Sequence, residues 1–179
     1  MKGSLKCNHT ELFSNTIILI FVNDQLYLVI LTEYALHRWA FHVHVTSYWG
    51  ITLHFLFHGN HHKYPMDGER LVFPPVPASL LVGAVYASLT NMMSQEQALP
   101  LFAGMGYGYV LYDCTHCALH HLLGHAGGGS SALLRIPMAR NFLEELRRRH
   151  AHHHFRDHGS GYGISSTLFD ALLGTYAGM

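Results

Sequence analysis

The chain has 179 residues and a formal net charge of zero; only 12% of its residues are charged, whereas 49% are hydrophobic. That charged share is about half that of an average globular protein. Because the sequence has no surplus of Lys and Arg to meet phosphate groups, its composition argues against a nucleic-acid partner. The length predicts one domain, residues 26–179, preceded by an N-terminal segment at residues 1–25.

The N-terminal segment has no recognisable signal peptide. Its apolar run at residues 16–22 is short and ends at Asn23 and Asp24. The next apolar stretch, residues 26–35, is too short to span a bilayer as a helix. Either this helix includes residues 16–22 and tolerates the polar pair, or an upstream membrane region is missing; the sequence leaves both interpretations open.

A long apolar stretch follows, in which no Lys or Arg occurs between Arg70 and Arg135. Residues 76–93 and 98–114 are apolar runs of near-spanning length, separated by a polar turn that contains Glu96. They predict a membrane helical hairpin, with a buried hairpin of a soluble protein as the alternative. Since every Lys and Arg lies outside the hairpin, the positive-inside tendency predicts that the histidine-rich face is cytosolic and the turn at Glu96 is on the opposite side.

Histidine is the unusual residue type, with 17 copies, most of them in four separated clusters. A purification tag or a metal-buffering tract would form one run. The first cluster is an HxxxxH, the second and fourth contain an HxxHH frame, and the third is an HxxxH. The histidines at the matched positions are the candidate metal ligands: His37, His42, His58, His61, His62, His116, His120, His150, His153 and His154.

Helix geometry indicates how these ligands are arranged. Positions i, i+3 and i+4 fall within an arc of about 100° on one face, so the HxxHH and HxxxH frames can direct their rings to one point or to two neighbouring points. The spacing of His37 and His42 separates their rings by about 140° and predicts either an unwound helix end or ligation of two different metals. Ten ligands divided over two ions give about five nitrogens each, which leaves one position of an octahedral ion for water or dioxygen. Imidazole suits iron, zinc or copper.

Two further residues are candidate partners of the ligands. His54, one turn before His58, is either such a partner or a hydrogen-bonded core histidine. Asp113, three residues before His116, either accepts the N–H of a metal-bound imidazole or makes an ordinary structural hydrogen bond. The histidines left outside the ligand set are His9, His44, His121, His125, His152 and His158.

Other features carry little chemistry. Cys7, Cys114 and Cys117 are too few for a disulfide framework, and the CxxC among them is expected to pack in an apolar stretch. Residues 123–131 predict a flexible Gly-rich loop, and residues 141–149 predict a helix with a Glu144–Arg148 pair. The sequence contains no phosphate-binding Gly-rich loop, no Ser-His-Asp elbow and no HExxH, so hydrolase functions have no support.

Several long strings resemble the fatty acid hydroxylase superfamily, and within it the fatty acid 2-hydroxylases that act on the acyl chains of sphingolipids. They are EYALHRWAFH at 33–42, LHFLFHGNHHKYPMDGERLVFPPVP at 53–77, GYVLYDCTHCALHH at 108–121 and GYGISSTLFDALLGT at 161–175. The resemblance covers about residues 26–175, and the ten candidate histidines coincide with the ligands of the family. It implies an all-α fold of integral membrane helices, with a cytosolic helical cap that carries a histidine-rich di-metal site. It also implies a multi-pass protein of the endoplasmic reticulum membrane.

The same resemblance implies a reaction and its partners. The reaction is hydroxylation of carbon 2 of a long acyl chain, presented as fatty acid, acyl-CoA, ceramide or dihydroceramide, with O2 as co-substrate. Iron is expected for this chemistry, whereas zinc, which has no accessible redox change, occupies the site in structures of relatives. Since no cytochrome b5 domain precedes the first cluster, the electrons are expected from a separate cytochrome b5 and its reductase. The alternatives are a sterol or carotenoid oxidase of the same superfamily, and a non-catalytic or truncated membrane metal-binding protein.

Overall fold

A computed structural model describes residues 26–122 and 135–178. The predicted N-terminal segment, the Gly-rich loop, Cys7, His9 and His125 therefore lie outside the described residues. Within those two ranges the chain is helical and contains no strand, which confirms the all-α prediction. The α-helices are α1 (26–35), α2 (Tyr48–His54), α3 (Asn60–Lys63), α4 (Pro75–Met92), α5 (Gln95–Cys117), α6 (Pro137–Phe155) and α7 (Leu168–Leu172).

Three π-helical turns continue these α-helices: π1 (Leu36–Phe41), π2 (Phe55–Gly59) and π3 (Ala118–Leu122). In π1, the His42 N–H donates to the carbonyl oxygen of His37 over 3.1 Å, which is the i to i−5 bond that defines a π turn. Each π turn contains at least one candidate ligand. Irregular helical turns of this kind frequently occur at functional sites.

The predicted hairpin is present as α4 and α5. Helix α4 begins with Pro75, a residue that suits the first turn because its missing N–H has no intrahelical partner there. Before α5, Ser94 donates to Gln97 Oε1 from its backbone N (3.4 Å) and from its hydroxyl (3.2 Å), as in a capping box. The second arm runs to Cys117, beyond the predicted end at residue 114.

The first arm lies within one long apolar helical stretch. The stretch Gly68–Met92 has a mean hydropathy of 1.6 and only 6% of its apolar window is buried. Its length and composition suffice to cross a bilayer. Helix α5 has 23 residues but is less apolar, so Gly68–Met92 is the one such stretch in the described ranges.

Helix α1 is fastened to the second arm of the hairpin at Gly108. A Cβ placed on Gly108 would overlap Val29 Cγ2 and would lie 3.0 Å from Val29 Cγ1. The two helices therefore approach closely because residue 108 has no side chain. This contact positions the start of π1, and with it the first histidine cluster.

A small core closes the other side of the fold. Leu119, Leu146 and Ile164 are buried together, and Tyr112 and Leu143 pack against them. These residues join π3, α6 and the segment that follows α6. The core thus brings the third and fourth histidine clusters together.

Helix α6 corrects two predictions. It spans Pro137–Phe155 rather than residues 141–149, because the last histidine cluster continues the helix. The predicted pair between Glu144 and Arg148 is wrong: Glu144 accepts from Arg140 Nε at 2.9 Å, and Arg148 pairs with Glu145 at 2.5 Å. Each glutamate thus forms an ion pair with an arginine one turn away on the same helix.

Candidate metal centre

The four histidine clusters converge in space and form two groups of five imidazoles. Group A consists of His37, His42, His58, His62 and His153. Group B consists of His61, His116, His120, His150 and His154. Within each group, one nitrogen of every ring lies within 4.8 Å of those of the other four. All ten candidate ligands are included, and no other His, Cys, Asp or Glu of the described ranges joins either group.

The first cluster enters group A through π1. The Nε2 atoms of His37 and His42 lie 3.2 Å apart, so the two rings belong to the same group. Of the two predicted alternatives, ligation of two different metals is therefore wrong, whereas an irregular helix end is present as the π turn that follows α1. A π turn uses about one residue more than an α turn, so two residues five apart return to the same face.

The two HxxHH frames divide their ligands in opposite ways. His58 and His62 belong to group A and the intervening His61 to group B. In the fourth cluster the i,i+4 pair belongs to group B, and His153 belongs to group A. Since adjacent residues direct their rings to different groups, the groups are immediate neighbours. The rings of His62 and His154 stack across them with centroids 4.3 Å apart.

Nitrogen spacing in group A tests whether these rings fit an ion. The Nε2 atom of His42 lies 3.2 Å from that of His37, 3.1 Å from that of His58 and 3.0 Å from that of His153. With metal–nitrogen bonds of about 2.1 Å, adjacent ligands are about 3.0 Å apart at 90° and about 3.4 Å apart in a tetrahedron. The observed spacing matches the 90° arrangement of a five- or six-coordinate ion.

Group B shows the same spacing. The Nε2 atom of His150 lies 3.0 Å from that of His116, 2.8 Å from that of His120 and 3.1 Å from that of His154. His61 completes the group, with its Nε2 atom 3.1 Å from that of His154. Five nitrogens exceed the four that a tetrahedral site uses, so this group also fits a higher coordination number.

Burial keeps the rings in the neutral form that binds metals. Removal from water, together with repulsion from neighbouring imidazoles, lowers the pKa of His42 and of His61 to about 3. Burial likewise lowers the pKa of His153 to about 4. Rings with such pKa values are uncharged near pH 7 and offer a lone pair.

Two rings of group A donate a hydrogen bond from their outer N–H to a backbone carbonyl oxygen. His37 donates from Nδ1 to the carbonyl oxygen of Tyr162 over 2.6 Å, and His153 donates from Nδ1 to that of Ser160 over 2.8 Å. A ring that donates outward from Nδ1 presents its Nε2 lone pair inward, which is the usual arrangement of a metal-bound histidine. The donor set, its spacing and these tautomers therefore fit two ions, one in each group.

Comparison with known proteins identifies the family of the chain. Residues 25–175 match the family model described as "Fatty acid hydroxylase". The chain belongs to the fatty acid hydroxylase family.

Among the curated hydroxylases, a dihydroceramide fatty acyl 2-hydroxylase of Arabidopsis thaliana is 41% identical over 149 residues, 83% of this chain and 57% of the relative. The human fatty acid 2-hydroxylase is 43% identical over 147 residues, 81% of this chain and 36% of the relative. The chain thus spans between about a third and just over half of the length of these relatives.

A solved hydroxylase structure shows the same fold. It is full-length scs7p with only the hydroxylase domain visible; it matches with a TM-score of 0.72 and 32% identity, over 89% of this chain and 56% of that chain. The curated ceramide very long chain fatty acid hydroxylase of Saccharomyces cerevisiae is 35% identical over 151 residues. The family resemblance predicted from the sequence strings is therefore confirmed.

The two predicted partner residues of this hydroxylase domain make no hydrogen bond to a ligand ring. His54 is half-buried, and its ring forms no hydrogen bond within the described residues. Asp113 is also half-buried, whereas the nearby Nδ1 of His116 is buried without a partner there. Their roles stay predictions.

His158, which the sequence left outside the ligand set, is exposed in the turn after α6 but lies beside group A, a proximity that the sequence did not predict. Its ring lies 5.0 Å from that of His62, and its Nδ1–H donates to the His153 carbonyl oxygen over 2.7 Å. His158 therefore covers one edge of group A without joining it. No spacing frame includes His158, since it follows the end of α6 at Phe155.

Proposed function

We propose that this chain is a fatty acyl 2-hydroxylase that hydroxylates carbon 2 of long-chain acyl groups of sphingolipids, in ceramide or dihydroceramide. One observation carries the proposal: ten imidazoles form two groups of five in a member of the fatty acid hydroxylase family. Relatives named as 2-hydroxylases at 41% and 43% identity support this regiochemistry. O2 is the co-substrate, and a separate cytochrome b5 with its reductase supplies the electrons.

The ten histidines are proposed as the ligands of two iron ions, one in each group. When bound, redox-active ions supply the activation of dioxygen that hydroxylation of an unreactive C–H bond requires. The protein itself orients the imidazoles, keeps them neutral and excludes bulk water from group B, all five of whose rings are buried. Zinc can fill such sites but has no redox change, so zinc-loaded protein is expected to be inactive.

Group A is the side on which the substrate reacts. His42 and His62 are only half-buried, so a ligand can reach them from outside the cluster. Beside them, Phe41 stacks on the His58 ring with centroids 4.9 Å apart, and Phe73 stacks on Phe41 at 6.3 Å. These rings form an apolar wall along which an acyl chain can lie, with its carbon 2 at group A. The same wall keeps water from the reacting carbon.

Residues 26–179 form the hydroxylase domain of a multi-pass protein in the endoplasmic reticulum membrane. The apolar exterior of Gly68–Met92 and its helical partner α5 support a membrane hairpin. The charged residues beside the histidine clusters support a cytosolic metal centre, with Glu96 in the lumen. Cysteine substituted at position 96 is then labelled only after luminal access; labelling from the cytosolic side alone contradicts the orientation.

The reaction is tested by expression in a host that lacks its own 2-hydroxylase, followed by mass spectrometry of sphingolipid acyl chains. The wild-type chain raises the 2-hydroxy fraction, and His42→Ala at matched expression does not. An unchanged 2-hydroxy fraction in a metal-loaded wild-type protein identifies a non-catalytic metal-binding protein instead. Hydroxylated sterols or carotenoids without 2-hydroxy acyl chains identify the other branch of the superfamily.

The metal content has its own test. Elemental analysis of the purified, folded protein is expected to give two ions per chain, because two complete imidazole groups are present. Less than about one ion per chain with the helical content intact contradicts the two-ion site, whatever the activity.

A further inference from the structure

The loop that follows α6 lies directly against group A. This tail loop, residues 160–165, places two carbonyl oxygens at the ligand rings: that of Ser160 accepts from His153 and that of Tyr162 accepts from His37. Group B has no such support within the described residues. The Nδ1 atoms of four of its rings are buried there without a partner: those of His61, His116, His150 and His154. The two groups therefore differ in how their imidazoles are oriented.

A buried carboxylate holds the tail loop from its other side. Asp170, which is 1% exposed, accepts the Tyr162 N–H at 2.9 Å and the Gly163 N–H at 2.8 Å. The Thr175 hydroxyl donates to the same carboxylate over 2.8 Å. Tyr162 is thus fixed twice: its N–H is held by Asp170, and its carbonyl oxygen holds His37.

Glu33 secures the next two residues of the loop. Its Oε1 atom accepts the Ile164 N–H at 2.5 Å and the Ser165 N–H at 2.8 Å. The loop has no room for a side chain at Gly163, where an added Cβ would lie 2.8 Å from Asp170 Oδ2 and would overlap the Ser166 carbonyl oxygen. At Gly161 the backbone has a φ of +70°, which favours glycine.

We propose that Asp170 is a positioning residue for the ion of group A and has no such role for the ion of group B. Charge-assisted hydrogen bonds from two adjacent amides fix the Tyr162 peptide, and this peptide fixes the tautomer and orientation of His37. Loss of such an outer hydrogen-bond partner typically lowers metal affinity 10- to 100-fold. The inference rests on the proposed two-ion site, but it concerns the difference between the two groups.

The test is an equilibrium titration of the metal-free full chain with Zn²⁺ alone, in competition with a chromophoric chelator. Asp170→Asn keeps the volume of the side chain but removes its charge, and it is expected to weaken one of the two ions about 10- to 100-fold. The other ion keeps its affinity within about 3-fold. The matched control is Glu144→Gln: the Glu144 carboxylate pairs with Arg140 on the surface of α6 and makes no hydrogen bond to the tail loop or to a ligand ring within the described residues, so both affinities stay unchanged.

The Asp170→Asn substitution, made in a His42→Ala variant, shows which ion is affected. His42→Ala removes a ligand of group A and leaves the ion of group B; Asp170→Asn added to it is expected to change nothing further. Equal weakening of both ions by Asp170→Asn, or a further loss in the His42→Ala background, overturns the inference and indicates a general structural role.

Because Asp170 is buried, Glu33→Gln provides a second variant that perturbs the same loop from the other side. It is expected to weaken the same single ion, and two unchanged affinities in Glu33→Gln also overturn the inference. A wild-type chain that does not bind two Zn²⁺ ions refutes the proposed metal site itself, which is a different result.

Discussion

Replacement of one histidine in the run at 152–154 gives a sharp test of the ligand assignment. His153 has no exposed surface, its Nε2 atom lies 3.0 Å from that of His42, and its Nδ1 donates to the Ser160 carbonyl oxygen. His152 is half-buried and belongs to neither group. A simple metal-buffering tract would lose the same amount from either change, so His153→Ala and His152→Ala are matched variants.

The expected difference follows from these contacts. His153→Ala removes a ligand of group A together with its hydrogen bond to the tail loop. Loss of an outer hydrogen-bond partner alone lowers metal affinity 10- to 100-fold, so the affinity of group A for its ion is expected to fall by at least this factor. This corresponds to about 1.4–2.7 kcal/mol of binding free energy. Metal content is expected to fall from two ions to about one, and 2-hydroxy acyl product to disappear. His152→Ala is expected to retain two ions and most of the product.

The assay measures bound metal by elemental analysis and 2-hydroxy acyl product by mass spectrometry, at matched expression of folded protein. Equal losses in the two variants would refute the assignment of the ligands on α6. Loss of both ions in His153→Ala would show that the two groups do not bind metal separately.

Two further predictions concern stability. Gly108→Ala is expected to destabilise the fold by about 1–3 kcal/mol because the new methyl group overlaps Val29. Gly106→Ala is the control: no atom lies within 4 Å of the new methyl group, so this change is expected to stabilise the same helix by up to about 1 kcal/mol. Similar denaturant midpoints for the two variants would contradict the α1–α5 contact. The metal-free protein is expected to lose stability as the pH falls from about 6.5 toward 4. Burial lowers the pKa values of the clustered histidines in the folded protein, so over this range the unfolded chain binds more protons than the folded one. A free energy of unfolding that does not change over this range would argue against neutral buried rings.

The histidine frames predicted the members of the two groups but not their division. Periodicity places i, i+3 and i+4 on one side of a helix, and this was sufficient to select His150, His153 and His154 while leaving out His152. Whether adjacent rings point to one site or to two depends on how the helices pack around them. The stacking of His62 on His154, for example, results from contacts between α3 and α6.

The supports of group A were less predictable. The sequence strings identified the GYGIS segment as typical of the family but gave its residues no role. Its contribution is made by backbone carbonyl oxygens, which every residue has, so no residue type marks Ser160 or Tyr162 as partners of a ligand. Glu33 accepts from amides 131 and 132 residues away, and Asp170 accepts from amides 8 and 7 residues upstream in an irregular loop, so neither pairing follows from a helix or strand period. Asp113 was predicted as a partner only because it is close to His116 along the chain.

The π turn at Leu36–Phe41 has an evolutionary consequence. A π turn is equivalent to one residue inserted into an α-helix. Deletion of Ala40 would therefore convert the HxxxxH of His37 and His42 into an HxxxH on a regular helix, with both rings still on one face. A single inserted residue at this place, absorbed by the π turn, therefore keeps both rings in group A. One residue added between His150 and His153 would rotate His153 and His154 by about 100° relative to His150 if α6 stayed a regular α-helix. Length variation by one residue is therefore expected among distant homologues at the first cluster, and at the fourth only together with a new π turn.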